Sequence, residues 1–352
     1  MLVDKIFIIN LDDKKDRLDK VMNSLEKINL KNFAERFSAH TKESDLFKEK
    51  KGLFCSYFCT NGMKGCASSH LATWQKVIDD DLNAAMIVED DVIFNDNFLE
   101  LLNEFSKELP ADWDMVLLGC VMKCGLKKKY KTIESLHNLI YDYGENERIN
   151  DKILKLKTFI GAHAYIISNK GARKLLNNIK MKTGHIDLDI SDYLYKNPDF
   201  KAYVFSKDIA TQIGSISDSS INAGRKPYLV NYYLDKINVL DDKVLTLAYS
   251  LNEQSGSFEP LGLYLNLISI IFFVIGFLAG MFGAKLIHIV VFIFFSYFIE
   301  FLFLYNINKA LSMRDAKEYL TLTVIFFVGY LGGNVIKNRQ LVLSRIKNVI
   351  SH

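Results

Sequence analysis

The residues richest in chemistry in this sequence are three adjacent carboxylates, Glu89, Asp90 and Asp91, at the end of the apolar run Ala84–Val88. The run has the length and β-branched content of a strand buried on both faces. Three neighbouring carboxylates repel one another and resist burial without partners. At the C-terminal end of a strand, where open α/β sheets bind ligands, they suit a hard divalent cation such as Mn2+ or Mg2+. Such a cation could hold the two phosphates of a nucleotide-sugar and neutralise a departing diphosphate. The alternative is a solvated acidic turn ahead of a helix capped by Asp96.

Other polar groups are spaced to join this cluster. Asn10 and Asp12 follow the buried run KIFIIN, and lie beside Glu89–Asp91 if the two strands are parallel neighbours. Arg17 either meets a phosphate or pairs with Asp13 or Asp16. Ser69 and His70 fall near the start of a helix expected over CASSHLATWQKVIDD, after a turn at Asn61–Gly65, and helix N-termini favour anions. A second acidic group, Asp187, Asp189 and Asp192, lies in GHIDLDISDYLY, with Asp189 and Asp192 spaced for one helical face. His163 is either a further ligand or a buried histidine bonded to backbone. The five cysteines include two C-x3-C pairs, which read either as zinc ligands or as reduced thiols of a cytosolic domain.

The elements that must position these residues read as α/β. KIFIIN is a strand, and Leu18, Val21, Met22, Leu25 and Ile28 then recur at helical spacing, with Asp12 or Asp13 as N-cap. This strand and helix form the first half of a nucleotide-binding βαβ unit. Further strands are expected at 33–40, 113–119, 156–168 and 202–205. A helix capped by Asn169 and a polar active-site loop over Ala210–Ile221 are also expected. The 352 residues carry a net charge of +3, which gives no case for nucleic acid. Composition divides the chain at about residue 250. Residues 1–250 read as a catalytic domain and 251–352 as a membrane anchor, with candidate spans at Leu261–Gly283, Leu286–Tyr305 and Tyr319–Ile336. Basic residues after the last span and in the loop before it make conflicting claims on the cytosolic side. One span, the first, is therefore read as re-entrant or interfacial, and its Gly276, Gly280 and Gly283 also suit close helix packing.

The segments IINLDDKKDR, GCASSHLATWQKV, AMIVEDDV, WDMVLLG, AHAYIISNKGARKLL, HIDLDI and QIGSISDSSI occur in the order found in glycosyltransferase family 25. Over residues 4–221 the chain resembles that family of lipooligosaccharide and collagen galactosyltransferases. The resemblance implies a GT-A-like fold with a mostly parallel central sheet, a UDP-galactose donor and transfer with inversion. It makes Glu89, Asp90 and Asp91 the counterpart of the family's metal motif and Asp187, or else Asp189, the general base. Taken together, these readings assign donor binding to Asn10, Asp12, Arg17, Ser69, His70, Glu89 and Asp90, and metal binding to Asp90 and Asp91. The acceptor is a glycan or glycolipid at the membrane, and the protein is expected to be multi-pass with its catalytic domain cytoplasmic. Two departures stand out. Ala39-His40-Thr41-Lys42 replaces the family's usual turn after the second strand, and the apolar C-terminal third lacks a counterpart in typical members. That third also fits two alternatives: a transferase acting on polyprenyl phosphate, and a non-catalytic membrane protein with a degenerate transferase domain.

Overall fold

A computed structural model describes residues 2–121, 123–124, 144–212, 256–258, 263–265, 267–291, 293–294 and 313–350. They fall into two compact units, Met1–Ser215 and Ile216–His352. The expected boundary near residue 250, the loop at 213–221 and residues 125–143 lie outside the described residues.

In the first unit β1 (Lys5–Asn10) buries Ile6, Phe7 and Ile8 completely and forms parallel ladders with β2 (Ala34–Ser38) and β3 (Ala84–Glu89). β4 (Val92–Phe94) follows the acidic turn, β5 (Met115–Leu117) is buried throughout, and β6 (Glu147–Arg148) and β7 (Ile153–Lys155) pair as a hairpin. With β8 (Ala164–Ser168) and β9 (Ala202–Phe205), the eight-stranded sheet runs β2-β1-β3-β8-β5-β9-β7-β6. The expected mostly parallel sheet is instead mixed. β8 is inserted antiparallel between β3 and β5, and β7 pairs antiparallel with β9. The apolar content of β8 fits either direction, because a strand buried on both faces looks alike read forward or backward. The reversal delivers the start of β8 to the end of β3, where Val88 faces Ala164.

Helices flank this sheet. α1 (Lys15–Lys27) packs Val21 and Leu25 into the core, but its N-cap is Lys14 rather than Asp12 or Asp13. Two short helices, α2 (Asp45–Lys50) and α3 (Leu53–Phe58), follow β2. α4 (Asn61–Asp79) starts earlier than expected, since Thr60 caps it by accepting from Met63 N–H, so the presumed turn Asn61–Gly65 is its first turn. Ser69 and His70 are therefore mid-helix and meet no free N–H groups. α5 (Phe98–Ser106) buries Phe98, Leu102 and Phe105. α6 (Asn169–Asn178) is capped by Ser168, not Asn169, and α7 (Ile186–Lys196) carries the second acidic group. A two-stranded ladder joins β4 to β10 (Ala210–Gln212).

In the second unit a hairpin, β11 (Gly256–Phe258) with β12 (Leu263–Leu265), precedes α8 (Leu267–Met281). The hairpin takes up the start of the first expected span, and Gly283, at φ +73°, lies just beyond the helix end. At 15 residues α8 is too short to cross a bilayer as a straight helix. α9 (Met313–Ile350) contains Leu320–Gln340, the one helix among the described residues long and apolar enough to cross. Most of the middle expected span lies outside the described residues, so a multi-pass arrangement is not supported. α8 and α9 pack through a pair of G-x3-G patterns. A methyl on Gly276 or Gly280 would meet the carbonyl oxygens of Phe326 or Tyr330 at 2.1 Å. One on Gly329 or Gly333 would meet those of Phe273 or Phe277 at 2.3 and 2.1 Å. Small residues allow such close backbone approach.

Candidate active site

The parallel ladder places Ile9 opposite Glu89, so the C-terminal ends of β1 and β3 form one edge. There Asp90 is held on both oxygens. Asn10 Nδ2 donates to Oδ2 at 2.8 Å and the Arg17 guanidinium to Oδ1 at 2.8 Å. Arg17 thus pairs with Asp90, not with Asp13 or Asp16. The ion pair is largely buried, and burial raises the Asp90 carboxyl against the lowering pull of Asn10 and Arg17. Asn10 also accepts from Arg36 Nε, and Arg36 reaches Asp12, which Ser38 Oγ contacts at 2.7 Å. Arg36 and Ser38 hold the exposed Asp12 carboxyl below its ordinary range. Asn10, Asp12, Arg17 and Asp90 therefore form a brace, in which each Asp90 oxygen accepts one hydrogen bond.

Asp91 differs. Gln212 Nε2 donates to its Oδ2 at 2.9 Å, while its buried Oδ1 has no hydrogen-bond partner among the described residues. Burial, and then the negative charges of Glu89 and Asp90, push this carboxyl up to about 7 against the Gln212 bond. A buried carboxylate oxygen lacking a donor, in a corner crowded with negative charge, fits a hard divalent cation.

Glu89 is the end of a buried chain of polar contacts. Trp74 Nε1 donates to Tyr165 Oη at 2.7 Å, Tyr165 Oη lies 2.9 Å from His70 Nδ1, and His70 Nε2 lies 3.4 Å from Glu89 Oε1. An indole N–H only donates and a carboxylate only accepts, so the network is satisfied when Tyr165 donates to Nδ1 and Nε2–H donates to Glu89. Burial works to raise the Glu89 carboxyl, but the His70 hydrogen bond and the electrostatic pull of the groups around it, Arg17 among them, outweigh it and hold it low. His163 is buried, with Nε2 3.5 Å from the Ala210 carbonyl, and its own carbonyl accepts from Glu89 N–H.

The second acidic group divides. Asp187 Oδ2 accepts from Gly161 N–H at 2.7 Å, which ties the first turn of α7 to the segment entering β8 and so to the end of β3. Gly161 has φ +95°, a conformation that disfavours a side chain there. The half-buried Cys66 thiol is pushed up by burial and by the charges of Glu89, Asp187 and Asp91, so Asp187 acts on the same acidic corner. Asp189 faces away from it. Its oxygens accept from the N–H groups of Lys182, Thr183 and Gly184 and from Thr183 Oγ1. Burial pushes its carboxyl up to about 6 in spite of these donors. Asp192 pairs with Lys182 and Lys196 outside the site. Ser69 Oγ accepts from His40 N–H and donates to Gly65 O, each at 2.8 Å, which fixes the loop after β2 on α4.

Sequence reasoning did not single out Gln212, Tyr165 or Cys66 as site residues. Gln212 lies in the stretch read as an active-site loop. Tyr165 is the one hydroxyl within the buried AYII run, which is itself a clue. The cysteine pairs are also corrected, since Cys55 bonds to Cys59 and Cys120 to Cys124, leaving Cys66 as the free thiol.

Comparison with known proteins bears on this arrangement. The profile described as glycosyltransferase family 25 (LPS biosynthesis protein) matches residues 3–191. Procollagen galactosyltransferase 2 of Homo sapiens is 26% identical over 225 residues, 58% of this chain and 33% of that protein. The probable inactive glycosyltransferase 25 family member 3 of Bos taurus is 24% identical over 227 residues, 58% of this chain and 34% of its own length. The chain thus spans about a third of the length of the curated relatives it matches. A mannose-1-phosphate geranyltransferase from Thermus thermophilus aligns over 64% of this chain and 81% of its own, at 8% identity and a TM-score of 0.33. A structural likeness that low carries no argument.

Proposed function

The chain belongs to glycosyltransferase family 25, and on that premise we propose that it transfers galactose from UDP-galactose, with inversion, to a glycan or glycolipid acceptor at a membrane. In this reading the first unit is a GT-A-like catalytic domain. The observation that carries the proposal is the buried Asp91 Oδ1 without a partner among the described residues, at a strand end braced by Asn10, Arg17 and Asp90.

Asp91, with Glu89 beside it, would hold Mn2+ or Mg2+, and the cation would supply charge neutralisation to the departing diphosphate. Arg17 and Asn10 keep the Asp90 turn from relaxing, which fixes where Asp91 points. His70 orients Glu89. Asp187 accepts the proton of the acceptor hydroxyl. Gly161 N–H donates to its Oδ2 and Leu188 N–H to its Oδ1, and a carboxylate retains further lone pairs for the proton.

The test uses the full chain in detergent with UDP-galactose and Mn2+. UDP release should fall at least ~100-fold in Asp91→Asn, a loss of the size expected when charge stabilisation is removed, with the circular dichroism spectrum unchanged. Release that is equal in chelator, or undiminished in Asp91→Asn, overturns the metal assignment. A chain that turns over no nucleotide-sugar stands with the relatives described as inactive.

A further inference from the structure

We propose that Cys66, His70 and Glu89 form a binding site for a zinc-class cation, separate in chemistry from the hard-cation position at Asp91. Cys66 Sγ, a ring nitrogen of His70 and a carboxylate oxygen of Glu89 all lie within 4.8 Å of one another. Cys66 and His70 are four apart on α4, so they share one helical face, and Glu89 reaches them from the end of β3. Ligands of a tetrahedral zinc stand about 3.5 Å apart. The three atoms need to close by little more than side-chain rotation.

The donor set points to the metal. A thiolate and an imidazole favour zinc, whereas Mg2+ and Mn2+ favour oxygen alone. Charge points the same way, because the Cys66 thiol feels the negative charges of Glu89, Asp187 and Asp91, which favour a cation beside it. Binding would release the thiol proton to solvent, and thiolate plus carboxylate would then neutralise the dication at a half-buried position.

The support behind His70 is also in place. Metal-bound histidines usually donate their other ring N–H to a fixed acceptor, which sets their orientation. With Nε2 on the metal, the ring proton resides on Nδ1 and donates to Tyr165 Oη, 2.9 Å away, which Trp74 already holds. A structural His70–Glu89 pair accounts for the imidazole and the carboxylate. It leaves unexplained why the free thiol of the first unit is set one turn below the histidine on the same face. Three protein ligands leave a fourth position open to water or another ligand.

The experiment loads the full chain, metal-stripped and with its disulfides intact, with Zn2+ alone and, separately, with Co2+ alone. Expected are one zinc per chain by elemental analysis after dialysis, and a thiolate-to-cobalt charge-transfer band that is lost in Cys66→Ser together with the zinc. Zinc-edge X-ray absorption on the wild type tests the ligand set without a variant, and should show one sulfur at about 2.3 Å with nitrogen and oxygen neighbours. A shell without sulfur, a shell of several sulfurs, or undiminished zinc in Cys66→Ser overturns the proposal. None of these readouts uses sugar transfer, so they stand or fall apart from the proposed activity.

Discussion

At the level of single residues the proposed function rests on Asp91 and Asp187, and each makes a separable prediction. The Asp91 carboxyl is raised to about 7 in the folded chain from an unfolded value near 3.8. Below about pH 4 both states are protonated and the folded state bears no penalty. Between there and pH 7 the unfolded chain gives up the proton first, so stability falls as pH rises through this window and then levels. Asp91→Asn removes that dependence. In chelator, its stability relative to wild type should increase from pH 4 to pH 7, by at most about 4 kcal/mol. Urea denaturation at a series of pH values measures this, and a pH-independent difference counts against the assignment. Asp187→Asn should abolish transfer to the acceptor while leaving the affinity for UDP-galactose within a few-fold of wild type. An equal loss of donor binding would move Asp187 to the donor side. Both positions were legible in the sequence because carboxylates clustered after an apolar run have few structural uses. The roles of Asp90 and Asp189 were not, since whether a carboxylate faces a ligand or a backbone loop depends on contacts 80 residues away, as from Asn10 to Asp90, or on loop geometry, as for Asp189.

Among the elements, the strands and most helices could be read from periodicity, but direction and start points could not. α4 begins at Asn61 because Thr60 caps it, and the glycines at 62 and 65, which read as a turn, are absorbed into its first turns. Gly65 is there for contact, since a methyl would meet the His40 carbonyl at 2.3 Å. The small ladder of β4 with β10 was invisible because its residues are too few to show a period. Its placement rests on Gly119, where a methyl would meet the Ala210 carbonyl at 1.8 Å. Gly119→Ala should push β10 outward, destabilise the first unit by about 1–3 kcal/mol, and reduce transfer by withdrawing Gln212 from Asp91. Thermal melting and UDP release check both halves, and a variant unchanged in each refutes the coupling.

For the molecule as a whole, composition separates an α/β part from an apolar part near residue 250, whereas the two compact units meet at Ser215 and Ile216. Among the described residues one helix is long enough to cross, and the first expected span falls short because a hairpin occupies its start, which hydropathy alone does not show. Leu320–Gln340, at ~1.5 Å per residue, is matched to a ~30 Å hydrocarbon layer. The full chain should therefore sediment with membranes and need detergent for release, while a chain ending after residue 215 should remain in the supernatant. A shortened chain that still sediments would show that the first unit binds membranes by itself.

The β4–β10 ladder has three rungs, and Gln212, the hydrogen-bond donor to Asp91, stands on the last of them, at the end away from the Leu118 anchor of Ile209 and Ala210. A zipper this short opens from the end away from its anchor at small cost, before the core strands of the sheet yield. The lone protein hydrogen bond to the Asp91 carboxylate among the described residues is therefore also among the first that thermal breathing breaks. Transient fraying of three residues would bare the carboxylate to water and ions while the brace around Asp90 stays shut, so the acidic corner can have one rigid wall and one that opens.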